Sequence, residues 1–160
     1  MTTNMYVLDI ETDGLLDEMT TIHCAVAKDY KTGEVIQFRH NDLDTFAGLI
    51  DGNVVIGHNL ISFDMPAIQR FYDVSPKMEI DTLVMSRLLN PDRERPEGLP
   101  QKVGPHSLKA WGYRLGFYKG EYGEQEDAWV DFNEDMLAYC VQDVELTEQV
   151  YKALMKEMQE

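Results

Sequence analysis

Asp9, Glu11 and Asp143 stand where a carboxylate is costly, Asp64 stands near a helix start, and a metal centre is one reading of that placement. Asp9 and Glu11 close the first apolar run, Met5-Tyr6-Val7-Leu8. Alternation along a strand puts both on one face, where they repel each other and lose hydration if the strand is central. Hard oxygen ligands suit Mg²⁺ or Mn²⁺, so a divalent cation is the simplest relief. The plainer alternative is a strand running out into the acidic turn Glu11-Thr12-Asp13-Gly14. Asp64 follows Val54-Val55-Ile56-Gly57 near the start of a helix. It lies either in a site beyond a strand end or simply at a helix terminus that favours an anion. Asp143 falls in the stripe Met136, Tyr139, Cys140, Asp143, Leu146, Val150, Leu154, away from the solvated face expected for Glu145, Glu148 and Lys152. Tyr139 lies one turn before it on the same face. Basic residues that might pair with Asp143 are scarce.

Hydrophobic periodicity assigns the elements that must position these groups. Strands are expected at 4–9, 20–27 and 35–38, joined as an antiparallel meander. A helix over 43–51 precedes a short apolar run, 54–57, of the kind found in buried parallel strands. A helix from Ser62 to Tyr72, a strand at 78–80 and a helix over about 81–89 follow. Residues 90–105 hold four prolines and two glycines, the composition of a mobile loop within a domain. Helical pattern resumes at Ser107, a second loop covers about 116–131, and Asn133 is the expected N-cap of the terminal helix. The fold class is α/β, a mixed five-stranded sheet flanked by helices, in a single domain over residues 1–160.

Composition narrows the partners. The 160 residues carry 29 acids against 14 bases, a formal charge of −15. That disfavours tight nonspecific binding to long nucleic acid, whose affinity comes from lysine and arginine. It suits carboxylates that hold metal and touch a few nucleotides, or a surface that docks on a basic partner. No apolar run approaches ~18 residues, so no membrane partner is expected. The first residues lack the pattern of a secretory signal. Cys24 and Cys140 have no metal-type spacing, and are expected as reduced thiols in a cytoplasmic protein.

Three ordered motifs carry a resemblance. Asp9-Ile10-Glu11, then Asn59 with Phe63-Asp64, then Tyr139-Cys140-Val141-Gln142-Asp143 resemble the signature of the DEDD exonucleases, in the subclass with tyrosine in the third motif. Four residues separate Asn59 from Asp64, one more than in bacterial family A polymerases. Ile80-Asp81-Thr82-Leu83, His106-Ser107-Leu108, Ala110-Trp111-Gly112-Tyr113 and Lys119-Gly120-Glu121-Tyr122 look like the proofreading domain of family A DNA polymerases from short-tailed bacteriophages. No polymerase domain follows, which implies a stand-alone exonuclease or a split-off proofreading subunit.

The resemblance implies a ribonuclease H-like (DnaQ-like) fold and a 3′–5′ exonuclease with two divalent cations, Mg²⁺ or Mn²⁺. Asp9, Glu11, Asp64 and Asp143 would be the metal ligands and, with Tyr139, the catalytic residues. Tyr139 would orient the attacking water. Thr12, Leu15 and Asn59 would bind the substrate, Leu15 as a wedge between bases unless it is a core residue at a turn. His58 and His106 are expected to be structural, and Trp111 to be core. Lys109, Arg114 and Lys119 would either steer the strand or form a solvated face. The expected partners are a single-stranded DNA 3′ end and a separate DNA polymerase subunit. The alternatives are an exoribonuclease on short oligonucleotides and a non-catalytic binding module.

Overall fold

The computed structural model describes residues 2–117 and 131–160. Strands β1 (Met5–Thr12), β2 (Ile22–Asp29), β3 (Val35–Phe38), β4 (Val54–Gly57) and β5 (Met78–Asp81) form one sheet in the order β3-β2-β1-β4-β5. The first three pair antiparallel as a meander, whereas β4 and β5 add in parallel. The helices are α1 (Leu43–Ile50), α2 (Met65–Gln69), α3 (Thr82–Leu89), α4 (Leu108–Leu115) and α5 (Glu134–Met158). Asn133 caps α5 as expected, its side chain accepting from the Met136 amide at 2.9 Å.

Strand alternation divides the core. Tyr6, Leu8 and Ile10 of β1 pack on one side with Phe46 and Ile50 of α1 and Met65 and Ile68 of α2. Val7 packs on the other side with Cys24, Val26, Ile56 and the α5 residues Met136, Leu137, Cys140 and Val144. Asp9 and Glu11 are in phase with Val7, so the sheet presents them to α5.

Three expectations need correction. β1 does not stop at Asp9: β2 stays paired with it through Thr12, with a register shift between Glu11 and Thr12. The helix expected from Ser62 to Tyr72 is a π turn over Leu60–Asp64 followed by the short α2. Glu148, expected in solvent, is buried, because that flank of α5 covers β2, and Lys28 of β2 reaches Glu145 at 2.8 Å and Glu148 at 3.0 Å. Burial opposes the Lys28 charge, but these two partners outweigh it and hold its pKa above the ordinary value.

The segment 90–107 holds no helix or strand, yet its ends are anchored. Arg93 pairs with Glu157 at 3.0 Å and donates to the Ser86 carbonyl. The His106 ring contacts Ser86 Oγ at 2.8 Å and the Pro91 carbonyl at 3.2 Å. Trp111 Nε1 donates to the same Ser86 hydroxyl, and the Arg93 and Arg114 guanidinium groups both lie over the indole ring. Trp111 is therefore core, and His106 structural.

Candidate active site

β1 is the central strand, and it pairs with β4 only from Met5 to Val7. Its last residues consequently run past the end of β4 at Gly57, where the sheet changes from antiparallel to parallel neighbours. Such a switch point leaves a crevice beyond the strand ends. Asp9 and Glu11 enter that crevice from β1, Asp64 from the end of the π turn, and Asp143 from the middle of α5.

Electrostatics tie the four together. Burial, then the neighbouring Asp9 and Asp143, hold the Glu11 carboxyl well above the ordinary carboxylate range. Burial, then Asp9, Asp81 and Asp143, do the same to Asp64. Asp9 and Asp143 act on both, so four acids share one field. Glu11 also hydrogen-bonds Asp9, as adjacent carboxyls do when one keeps its proton. Asp64 is 4% exposed, and its Oδ2 is buried with no hydrogen-bond partner.

That orphaned oxygen, together with carboxyls whose ionised forms burial and neighbouring acids disfavour, fits a hard divalent cation that would neutralise them. A thiol also lines the centre. Ligand atoms of Asp9, Glu11 and Cys140 all lie within 4.8 Å of one another, the one such trio among the described residues. Cys140 Sγ donates to the Asp9 carbonyl at 3.3 Å and to Asp9 Oδ2 at 3.4 Å. Burial, contact with Cys24 and the nearby acids push the Cys140 thiol well up, so it stays protonated and serves as a donor rather than a cation ligand.

The expected substrate residues surround this centre in different ways. Leu15 is 73% exposed, which rules out a core role at its turn. It lines a cavity of about 370 Å³ with Glu11, Thr12 and Phe63. The Thr12 hydroxyl already donates to the Gly14 carbonyl at 2.7 Å. Asn59 is exposed and left-handed, with φ 66°, the sole non-glycine residue with positive φ among those described. Asparagine tolerates that conformation best among the larger side chains, so the backbone alone gives a reason for its identity. Tyr139 is half-buried on α5, against the same core as Cys140. His58 contacts Thr82 Oγ1 at 2.7 Å and the His106 carbonyl at 2.9 Å, a structural role. Arg114 sits over Trp111 and donates to the Glu94 carbonyl, so it is committed to the fold rather than to a solvated face. Lys119 and the Lys119–Tyr122 motif lie outside the described residues.

Two residues near the centre were not singled out for a role by sequence. One is Cys140, whose position beside Tyr139 within the stripe was the available signal. The other is Asp81, where an acid at a strand end just before a helix is an N-cap signature. Asp81 is buried and takes backbone amides from both Asn59 and Leu83.

The sheet and its acidic crevice define a ribonuclease H-like, DnaQ-like nuclease fold, and two solved structures share it. Brucella melitensis NrnC with bound Mg²⁺ superposes with a TM-score of 0.69 at 15% identity, over 99% of this chain and 75% of that one. Escherichia coli RNase D, described as an exoribonuclease involved in structured RNA processing, gives 0.67 at 14% identity, over 98% and 40%. The family itself follows from sequence. The family model described as 3′–5′ exonuclease matches residues 5–159, and this chain belongs to that family. The DNA-directed DNA polymerase of Escherichia phage T7 is 35% identical over 96% of the chain. The chain spans only 27% of that relative's length.

Proposed function

We propose that this 3′–5′ exonuclease domain, of the tyrosine-bearing DEDD subclass, removes nucleoside 5′-monophosphates from single-stranded or frayed DNA 3′ ends. The observation that carries the reading is the shared field of Asp9, Glu11, Asp64 and Asp143 at the end of the central strand. Asp9, Glu11 and Asp143 would hold one divalent cation, and Asp9 with Asp64 a second. Such cations, Mg²⁺ or Mn²⁺, supply charge neutralisation at the phosphodiester and activate water near neutral pH.

The chain's own groups do the rest. Tyr139 would orient the attacking water through its hydroxyl, since a phenol is a poor general base. The side-chain amide of the exposed Asn59 would donate to a phosphate or sugar oxygen. Leu15 projects where it can wedge between the last two bases, and the adjoining 370 Å³ cavity is of a size to take the terminal nucleoside. None of these contacts reads base identity, so removal is sequence-independent. Identity of 35% to a DNA polymerase favours DNA, whereas the likeness to RNase D is one of fold. The same relative supports a proofreading role beside a DNA polymerase, acting as a domain or a separate subunit.

Oligonucleotides labelled at either end, DNA and RNA in parallel, test this with Mg²⁺, Mn²⁺ or chelator. A 5′-labelled DNA strand should shorten one nucleotide at a time, and chelator should stop it. Preferential loss of RNA would make the protein an exoribonuclease. Metal-independent cleavage, or degradation from a 5′ end, would overturn the mechanism, and no cleavage at all would leave a binding module.

A further inference from the structure

We propose that Asp81 is a positioning residue for the candidate active site: it clamps the π turn that presents Asp64, and so sets how well the site holds a divalent cation. The inference rests on the reading of Asp64 as a cation ligand.

Asp81 ends β5, in register with Gly57 of β4. It is 4% exposed, and its two oxygens serve two separate pieces of chain. Oδ1 accepts from the Leu83 amide at 2.9 Å, which is ordinary N-capping of α3. The same oxygen accepts from the Asn59 amide at 2.9 Å, and Oδ2 accepts from the Ile61 amide at 3.0 Å. Capping alone uses one oxygen. The second points across to the turn that leaves β4.

That turn needs holding. Asn59 is in the left-handed region, which costs free energy for a residue with a Cβ. Ile61 lies in the first turn of the following helix, where backbone donors lack intrahelical acceptors. Beyond the clamp the path to Asp64 is short and stiff. Phe63 N–H donates to the Asn59 carbonyl at 3.0 Å, and Met65 N–H closes the wider π turn on the Leu60 carbonyl. Leu60 is buried against Gly57, where an added Cβ would meet its side chain at 3.0 Å. Asp64 therefore follows wherever Asp81 fixes Asn59 and Ile61.

The residue type argues further. Serine or asparagine would cap α3 about as well as aspartate. A carboxylate adds a charge that disfavours ionised Asp64, yet only a carboxylate offers acceptors to Leu83, Asn59 and Ile61 at once.

Asp81→Asn keeps one acceptor oxygen and sets an NH₂ group where the other was, so it weakens the link to the turn while retaining a capping group. Asp81→Ser keeps a cap for α3 but is too short to reach Ile61. The control is Ser107→Ala, which removes a different helix cap, that of α4. The measurements are Mn²⁺ affinity by calorimetry, amide exchange at Asn59 and Ile61, and kcat and KM on a single-stranded oligonucleotide. Both Asp81 variants should bind Mn²⁺ about 10- to 100-fold more weakly, the scale typical of a partner that orients a metal ligand. Their Asn59 and Ile61 amides should exchange faster, and kcat should fall with KM for DNA unchanged. Ser107→Ala should lower thermal stability and leave Mn²⁺ affinity alone. Variants that lose stability like Ser107→Ala but bind Mn²⁺ like the parent would make Asp81 a mere cap. A parent protein that binds no Mn²⁺ would overturn both this inference and the reading beneath it.

Discussion

Cys140 Sγ donates to Asp9 Oδ2 at 3.4 Å, placing a neutral thiol against the acid at the centre of the crevice. A soft ligand sits within reach of the proposed hard-cation site, yet its proton makes it a hydrogen-bond donor to Asp9 rather than a ligand. Cys140→Ser substitutes one hydroxyl donor for one thiol donor. It should leave Mn²⁺ affinity within a few-fold of the parent. Thiol reagents should leave Cys24 and Cys140 unmodified until the protein unfolds, since both are fully buried. Rapid labelling of the native protein would contradict this arrangement.

Removing one acid should stabilise the metal-free protein while destroying its activity. Asp9 raises both Glu11 and Asp64, so Asp9→Asn relieves two repulsions at once. A gain on the order of 1 kcal/mol is expected, roughly 2–4 °C in Tm for a domain of this size. Cleavage should be abolished, because the proposed shared cation ligand is lost. Calorimetric melting in chelator, beside a cleavage assay, checks both halves.

Protonation gives the metal-free protein an unusual pH profile. Glu11 and Asp64 have folded-state pKa values raised above their unfolded ones, so between those values the unfolded chain has released protons that the fold still holds. Their contribution is fully present below about pH 4 and is lost as pH climbs through the raised values. In chelator, this pair should therefore make Tm decline from acid towards neutral pH, against the usual rise for paired carboxylates. Mn²⁺ should reverse the decline, bind more tightly as pH rises, and release protons measurable in buffers of different ionisation enthalpy. A flat metal-free profile would argue against the crowded carboxyls.

Lys28 holds α5 on the sheet through Glu145 and Glu148. Lys28→Met strands a buried Glu148, whose remaining ion pair among the described residues is Lys152 at 3.6 Å, and should cost about 3 kcal/mol. Adding Glu148→Leu should recover most of that loss, because the penalty is an uncompensated charge rather than a missing contact. Urea unfolding of the single and double variants measures the coupling.

The antiparallel meander and the inward placement of Asp9, Glu11 and Asp143 were legible because each rests on short-range pattern. Alternation in β1 predicts that Asp9 and Glu11 share a face, and three- and four-residue steps predict that Asp143 turns inward, whatever lies opposite. What escaped depends on partners elsewhere in the chain. Glu148 reads as solvated until Lys28 is seen beneath it. β1 reads as ending at Asp9 because the acids that follow look like a turn, while β2 in fact keeps pairing through Thr12. Asp81 is given no role by the sequence, and its second oxygen gains meaning only when the turn after β4 lies across from it. Arg114 reads as a surface cation until Trp111 is placed under it.

The π turn between Asn59 and Asp64 has a bearing on how such chains are recognised. A π turn is what a helical segment becomes when it absorbs one surplus residue. Here four residues bridge Asn59 and Asp64, with the slack looped outward at Ile61 and Ser62, both of which face solvent. Asp64 still ends the turn buried at the crevice, and a pattern demanding three residues before it would pass this chain by.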